Sequence, residues 1–158
     1  MRPSVEPPTV DQLRGLALFS GLHEDALDLL CARLEQRVLK AGDVLFRQGD
    51  RGRELYVLLT GSLRHERLCA QGELVARLVE PGDWVGEMSM LDVMPRPASA
   101  VATTDATVLR LDNRTLDCVY RHDLKQYALL VMNLARQLSR KLRDAEDRLC
   151  SLVQYPER

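Results

Sequence analysis

No run of about 18 apolar residues occurs anywhere in the chain, so no segment reads as a membrane-spanning helix. The opening MRPSVEPPTV is polar and proline-rich and lacks an apolar signal region, which points to a cytoplasmic protein. The four cysteines, Cys31, Cys69, Cys118 and Cys150, form neither a C-x-x-C pair nor a metal-like spacing, so reduced thiols are expected. His23, His65 and His122 stand in unrelated surroundings, with no H-x-H or H-E-x-x-H pattern, which excludes a metal centre built on clustered histidines. There is no G-x-S-x-G elbow and no cysteine with an evident histidine partner, so no enzyme and no cofactor is expected. A formal net charge of −1 gives no electrostatic drive toward nucleic acid or an anionic membrane.

What is present fits one soluble domain. A chain of 158 residues, 46% hydrophobic and 28% charged, can bury a core without staples. Three prolines in the first eight residues mark residues 1–10 as a flexible arm. From Asp11 to Glu35 the leucines Leu13, Leu16, Leu27, Leu30 and Leu34 recur at helical steps. Gly21 interrupts that run, and Glu24 and Asp25 suit the positive start of a second helix. Between Arg37 and Leu111 the texture becomes short β-prone runs separated by glycine: RVL, DVLF, LYVLL, SLRHERL, ELVARLV and ATVLRL. Regular short strands with glycine turns predict a mainly β fold, a rolled barrel of the jelly-roll type with flanking helices. A long helical segment then runs from about Leu116 to Val153, with a break at Arg121-His122-Asp123. The expected division is an arm over 1–10, a binding domain over 11–121 and a terminal helix over 122–158.

Chemistry concentrates in GDWVGEMSMLDVMPRPASA, residues 82–100. Gly86-Glu87-Met88-Ser89 can form a tight turn with several free N–H groups, a cradle for an anion, above all if a short helix starts there. Glu87 supplies an acceptor suited to a ribose hydroxyl. Arg96 supplies a forked cation suited to two phosphate oxygens. Together they outline a nucleotide monophosphate site. Trp84, on the strand before the turn, reads as core rather than as a platform for a base.

This segment resembles the phosphate-binding cassette of the cyclic nucleotide-binding domains, the modules of catabolite-activator and kinase-regulatory-subunit type. The resemblance extends over nearly the whole chain, through the helical lead-in LALFSGLHEDALDLLCARLE and the first strands VLKAGDVLFRQGDRGRELYVLLTGSL. It implies that Glu87 bonds the ribose 2′-hydroxyl, that Arg96 pairs with the cyclic phosphate, and that Gly86 to Ser89 offer backbone N–H groups. Pro97 and Ala98 complete the expected nucleotide-binding set, with cAMP as the preferred ligand. His65, on the inward face of its strand with Leu63, and Ala76 and Arg77 on the next strand fall where relatives line the base pocket.

Two positions depart from the family pattern. Pro97 follows the cassette arginine where Ser, Thr or Ala is usual, and it has neither an N–H for the phosphate nor the hydroxyl some relatives use to favour guanine. Arg53 stands where relatives carry a small or acidic residue supporting that arginine. Glu54 could take the role, but strand alternation is expected to point it to the other face. These departures keep two alternatives open: an interaction scaffold of the same fold without nucleotide, or a binder of another nucleotide such as cyclic di-GMP.

The terminal helix carries its own pattern. Val131, Ala135, Leu138, Leu142, Ala145, Leu149 and Leu152 follow a 4-3-4-3-4-3 spacing that predicts a homodimer seam, flanked by Lys141 and Glu146. The basic residues Arg136, Arg140, Lys141, Arg143 and Arg148 alternate with acids and read as a solvated face. About five residues follow Val153, too few for a recognition helix, so no helix-turn-helix output is expected. The expectation is a stand-alone sensor that signals through this helix to an unknown downstream protein.

Overall fold

The computed structural model describes residues 6–153. The start of the expected arm and the end of the expected terminal helix lie outside the described residues. Within them the arm is short: Pro8 is already buried, and Thr9 caps helix α1 (Val10–Arg14). Thr9 and Gln12 form a reciprocal capping box, with Gln12 N donating to Thr9 Oγ1 at 3.2 Å and Thr9 N to Gln12 Oε1 at 2.9 Å. A 3-10 turn at Ala17–Phe19 and helix α2 (Glu24–Cys31) complete the lead-in. The helical run expected to reach Glu35 stops earlier, because Glu35 is captured as the first residue of a strand paired to Arg110.

Eight strands follow: β1 (Glu35–Leu39), β2 (Val44–Phe46), β3 (Glu54–Thr60), β4 (Leu63–Leu68), β5 (Leu74–Val79), β6 (Trp84–Val85), β7 (Ser99–Ala102) and β8 (Ala106–Asp112). They form two antiparallel sheets of four, ordered β1-β8-β3-β6 and β2-β7-β4-β5. This is the jelly-roll architecture expected, but the sheets do not close into a barrel. Strand alternation divides the core in two. On β3, Leu55 and Val57 face the helices, packing with Leu27, Leu30, Leu109 and Trp84. Tyr56 and Leu58 face the second sheet, packing with Phe46, Leu63 and Val108. Trp84 is 1% exposed, a core residue as expected.

Helix α3 (Glu87–Asp92) interrupts the strands between β6 and β7. After β8, Asp112 accepts from Thr115 N at 2.9 Å and starts helix α4 (Asn113–His122), earlier than the expected Leu116. The break falls at Asp123, whose carboxylate caps helix α5 (Leu124–Leu152) by accepting from Lys125 N at 2.8 Å. The first half of α5 is built into the molecule. Leu130 and Leu134 are buried, Gln126 Oε1 accepts from His23 N at 2.7 Å, and Asn133 Nδ2 donates to Leu18 O at 3.1 Å and Ser20 O at 2.8 Å. The second half leaves its leucines in the open: Leu142 is 61%, Leu149 64% and Leu152 79% exposed. A straight helix drifts about 20° per heptad relative to a strict seven-residue repeat. The apolar stripe therefore winds around α5, from Val131 beside α3 to Leu149 and Leu152 beside β5.

Candidate functional site

The chain leaves β6 and turns at Gly86, whose φ of 90° lies in the left-handed region. That turn converts strand into α3 and places Glu87, Met88 and Ser89 in the helix's first turn, with N–H groups that have no intrahelical partner. After α3 the chain returns through Arg96. Arg96 N donates to Asp50 O at 2.8 Å and Arg96 O accepts from Gly49 N at 2.8 Å, which stitches the returning segment to the loop before β3.

The Arg96 side chain is 1% exposed. Nη1 donates to Glu54 O at 2.8 Å and Gly86 O at 2.7 Å, and Nη2 donates to Glu54 Oε1 at 3.0 Å. The guanidinium carbon lies 4.3 Å from the Phe46 ring centroid. A Cβ at Gly52 or Gly86 would collide with the guanidinium, so both glycines are required for the arginine to thread between them. Its Nε, like the Ser89 hydroxyl, is buried without a hydrogen-bond partner. Trp84 Nε1 shares that state, so three buried donors between β6 and the segment returning after α3 lack the partner such groups normally have.

Glu54 corrects an expectation. It does support Arg96, because the arginine enters on the face that Glu54 shares with Tyr56 rather than the opposite one. Arg53 is exposed and contributes its amide, donating to Glu54 Oε2 at 2.9 Å. Glu87 is 8% exposed, and the basic group against it is Lys141 Nζ, 3.5 Å from Oε1. The Met88 side chain points outward, 51% exposed, leaving only its backbone for the turn. Pro97 is half-buried directly after Arg96, and Ala98 is 2% exposed.

At the other end, His65 and Arg77 are directly opposed across β4 and β5. Ala76 lies on the reverse face and is exposed, since neighbouring strand residues point opposite ways. The structure therefore brings His65 and Arg77 together and leaves Ala76 out. Arg77 Nη1 pairs with Asp83 Oδ2 at 3.2 Å, and Asp83 Oδ1 lies 3.3 Å from Lys141 Nζ. Burial, Arg77 and Lys141 push the His65 pKa down to about 4, so the imidazole is neutral at pH 7. Burial works to raise the Asp83 carboxyl, but Lys141, the Trp84 amide and Arg77 hold it below its ordinary value.

Lys141 is the residue that sequence reasoning misplaced. It was expected beside a helix seam; instead it reaches from α5 into the site, donating to Trp84 O at 2.7 Å with Nζ 5.1 Å from that residue's ring centroid. The signal was available, because 130, 134 and 141 fall on one helical face and the first two are buried leucines. A groove of about 620 Å³ runs outward from Lys141 between β5 and distal α5, walled by Leu78, Leu149 and Leu152. Among the described residues no group of three or more His, Cys, Asp or Glu could hold a metal ion, and no helix is long and apolar enough to cross a membrane.

A strand-to-helix turn with a buried arginine and a flanking carboxylate, set in a jelly roll with a terminal helix, is a geometry suited to a small anion. The sequence model of the cyclic nucleotide-binding domain matches residues 36–123. The cyclic AMP receptor protein of Thermus thermophilus is 36% identical over 139 residues, covering 85% of this chain and 61% of the relative. The regulatory domain of Toxoplasma gondii PKA, solved with cAMP, is 29% identical with a TM-score of 0.62, covering 70% of this chain and 42% of that one. A cyclic nucleotide-binding domain from Methylobacillus flagellatus shares the fold at a TM-score of 0.82 and 24% identity, covering 93% and 83%. The chain belongs to the cyclic nucleotide-binding domain family. It spans about six-tenths of the length of the first curated relatives it matches.

Proposed function

We propose that this chain is a cyclic nucleotide sensor, with cAMP as the preferred ligand, and that it signals through α5. The observation that carries the reading is that Arg96 Nε and Ser89 Oγ are buried without partners, on the same β6–β7 connection as a nearly buried Glu87. An anionic phosphate between those donors and the first N–H groups of α3 would satisfy the orphans. Glu87 would accept from the ribose hydroxyl, and in doing so compete with Lys141 for its carboxylate. His65, neutral and half-buried, and Arg77 would meet the base edge, while Pro97 leaves no hydroxyl there to favour guanine. The chain acts by binding rather than catalysis, in the cytoplasm, with no nucleic-acid or membrane partner of its own.

The output follows from the same contacts. Distal α5 is tied to the site through Lys141, so a ligand that changes what Lys141 can reach changes the position of the helix. Its stripe of Val131, Ala135, Leu138, Leu142, Ala145, Leu149 and Leu152, exposed except at the half-buried Leu138, is the seam of a homodimer, which passes the change to a downstream protein. Leu142→Asp with Leu149→Asp should give a folded monomer by light scattering.

One competing reading, a scaffold that has lost its ligand, draws on Pro97, which removes an amide next to Arg96. Thermal-shift titrations with cAMP, cGMP and cyclic di-GMP separate the readings. The largest stabilisation is expected with cAMP. Stabilisation by cyclic di-GMP alone would reassign the ligand, and none by any of the three would favour the scaffold.

A further inference from the structure

Behind Arg96 lies a second layer of contacts. Tyr56 sits in β3, 3% exposed and two residues beyond Glu54, hence on the same strand face. Its hydroxyl donates to Glu54 Oε1 at 3.2 Å, the same oxygen that accepts from Arg96 Nη2 at 3.0 Å. The direction of that proton is fixed by the hydroxyl's other partner. Arg37 Nη1, 3.3 Å away, can only donate, so the tyrosine oxygen accepts from Arg37 and gives its own proton to Glu54. Burial first, and the Glu54 charge next, raise the phenol pKa, which keeps Tyr56 protonated for this task.

A second arm runs through the ring. Tyr56 stacks on Phe46 with centroids 6.1 Å apart, and Phe46 presents its face to the Arg96 guanidinium. Tyr56 thus braces both side chains that hold Arg96, the carboxylate through its hydroxyl and the aromatic face through its ring.

We propose that Tyr56 is a positioning residue for Arg96: it fixes Glu54 and Phe46 so that the guanidinium keeps the single orientation that leaves Nε free for a ligand. The ligand part of this statement rests on the nucleotide-binding reading; the orientation part does not. A tyrosine that only filled the core would be replaceable by phenylalanine without consequence at Arg96.

The test uses Tyr56→Phe, Glu54→Gln and the double variant of the full chain, with two readouts. Calorimetry with cAMP should show Tyr56→Phe weakening binding by about three- to tenfold, less than the full worth of a hydrogen bond to a charged group because Tyr56 acts on the ligand only through Glu54 and Arg96. Glu54→Gln should weaken it more, and the double variant should be no weaker than Glu54→Gln alone, because both act through one carboxylate. Nitrogen NMR of arginine side chains in the ligand-free protein should show separate, slowly averaging Arg96 Nη signals in wild type. Those signals should merge in Tyr56→Phe. Unchanged Arg96 signals in Tyr56→Phe, or binding losses that simply add, would overturn the proposal. If wild type binds no cAMP yet the signals still merge, the nucleotide reading fails and the positioning role stands.

Discussion

The two ends of the site are built differently. At the α3 end, Arg96 is 1% exposed, held by two backbone carbonyls, a carboxylate and an aromatic face, and framed by Gly52 and Gly86. Its contacts come from the β-roll itself and the short segment returning to it. At the β4–β5 end, Lys141, Asp83 and Arg77 are joined by ion pairs with side chains 23%, 33% and 28% exposed, and Lys141 belongs to a different element, α5. A buried, multiply bonded cation is preorganised and costs little to use. Ion pairs that are a quarter exposed contribute modestly, and a ligand can exchange them. One end is suited to affinity and the other to movement.

The largest effect is expected at the affinity end. Arg96→Lys keeps the charge but loses the fork, so several of its bonds cannot be made. It should cost about 2–5 kcal/mol of cAMP binding, the range for truncating a buried charged contact, as read by calorimetry. Near-native circular dichroism would show that the loss is local. Wild-type affinity in this variant would mean the phosphate lies elsewhere.

The movement end is expected to respond less in affinity and more in dynamics. Lys141→Met removes the tie to Trp84 O, Asp83 and Glu87 while keeping most of the stem. Amide hydrogen exchange should quicken from Leu138 to Leu152 but not around Leu130 to Leu134, where Asn133 still holds α5 to the lead-in. Equal quickening in both halves would show that α5 moves as one rigid piece.

Sequence alone made the affinity end largely readable and the movement end only partly so. Gly86, Glu87, Ser89 and Arg96 lie close together in sequence, and a glycine turn before a carboxylate is a local signal. Glu54 was harder: its support of Arg96 depends on which face of β3 the arginine enters, a tertiary fact. Ala76 and Arg77 could not both line the pocket once alternation was respected. Lys141 flanks the heptad stripe in the sequence, which suggests a place beside the seam, although its own spacing continues the buried face. Strand β7 escaped notice because Ser99–Ala102 is small and alanine-rich, with a weak β signal. Its place comes from pairing with β2 and β4.

The smallest expected effect is a pH dependence at the movement end, at His65. The His65 pKa is lowered from 6.5 to about 4 in the folded protein, so over that window the unfolded chain binds the extra proton. The neutral histidine's contribution is therefore complete above about pH 6.5 and is lost as pH falls toward 4. His65→Gln should flatten the melting temperature across that window. An equally steep decline in the variant would place the acid sensitivity on the carboxylates instead, Asp83 first among them, whose depressed pKa adds its own loss at lower pH.

A cradle at Gly86 to Ser89 and Arg96 that holds a cyclic nucleotide should do so without any further component. Calorimetric titration of cAMP into the wild-type chain should give saturable heat with one nucleotide per chain; no heat and no thermal stabilisation at millimolar cAMP would rule the nucleotide out of that cradle.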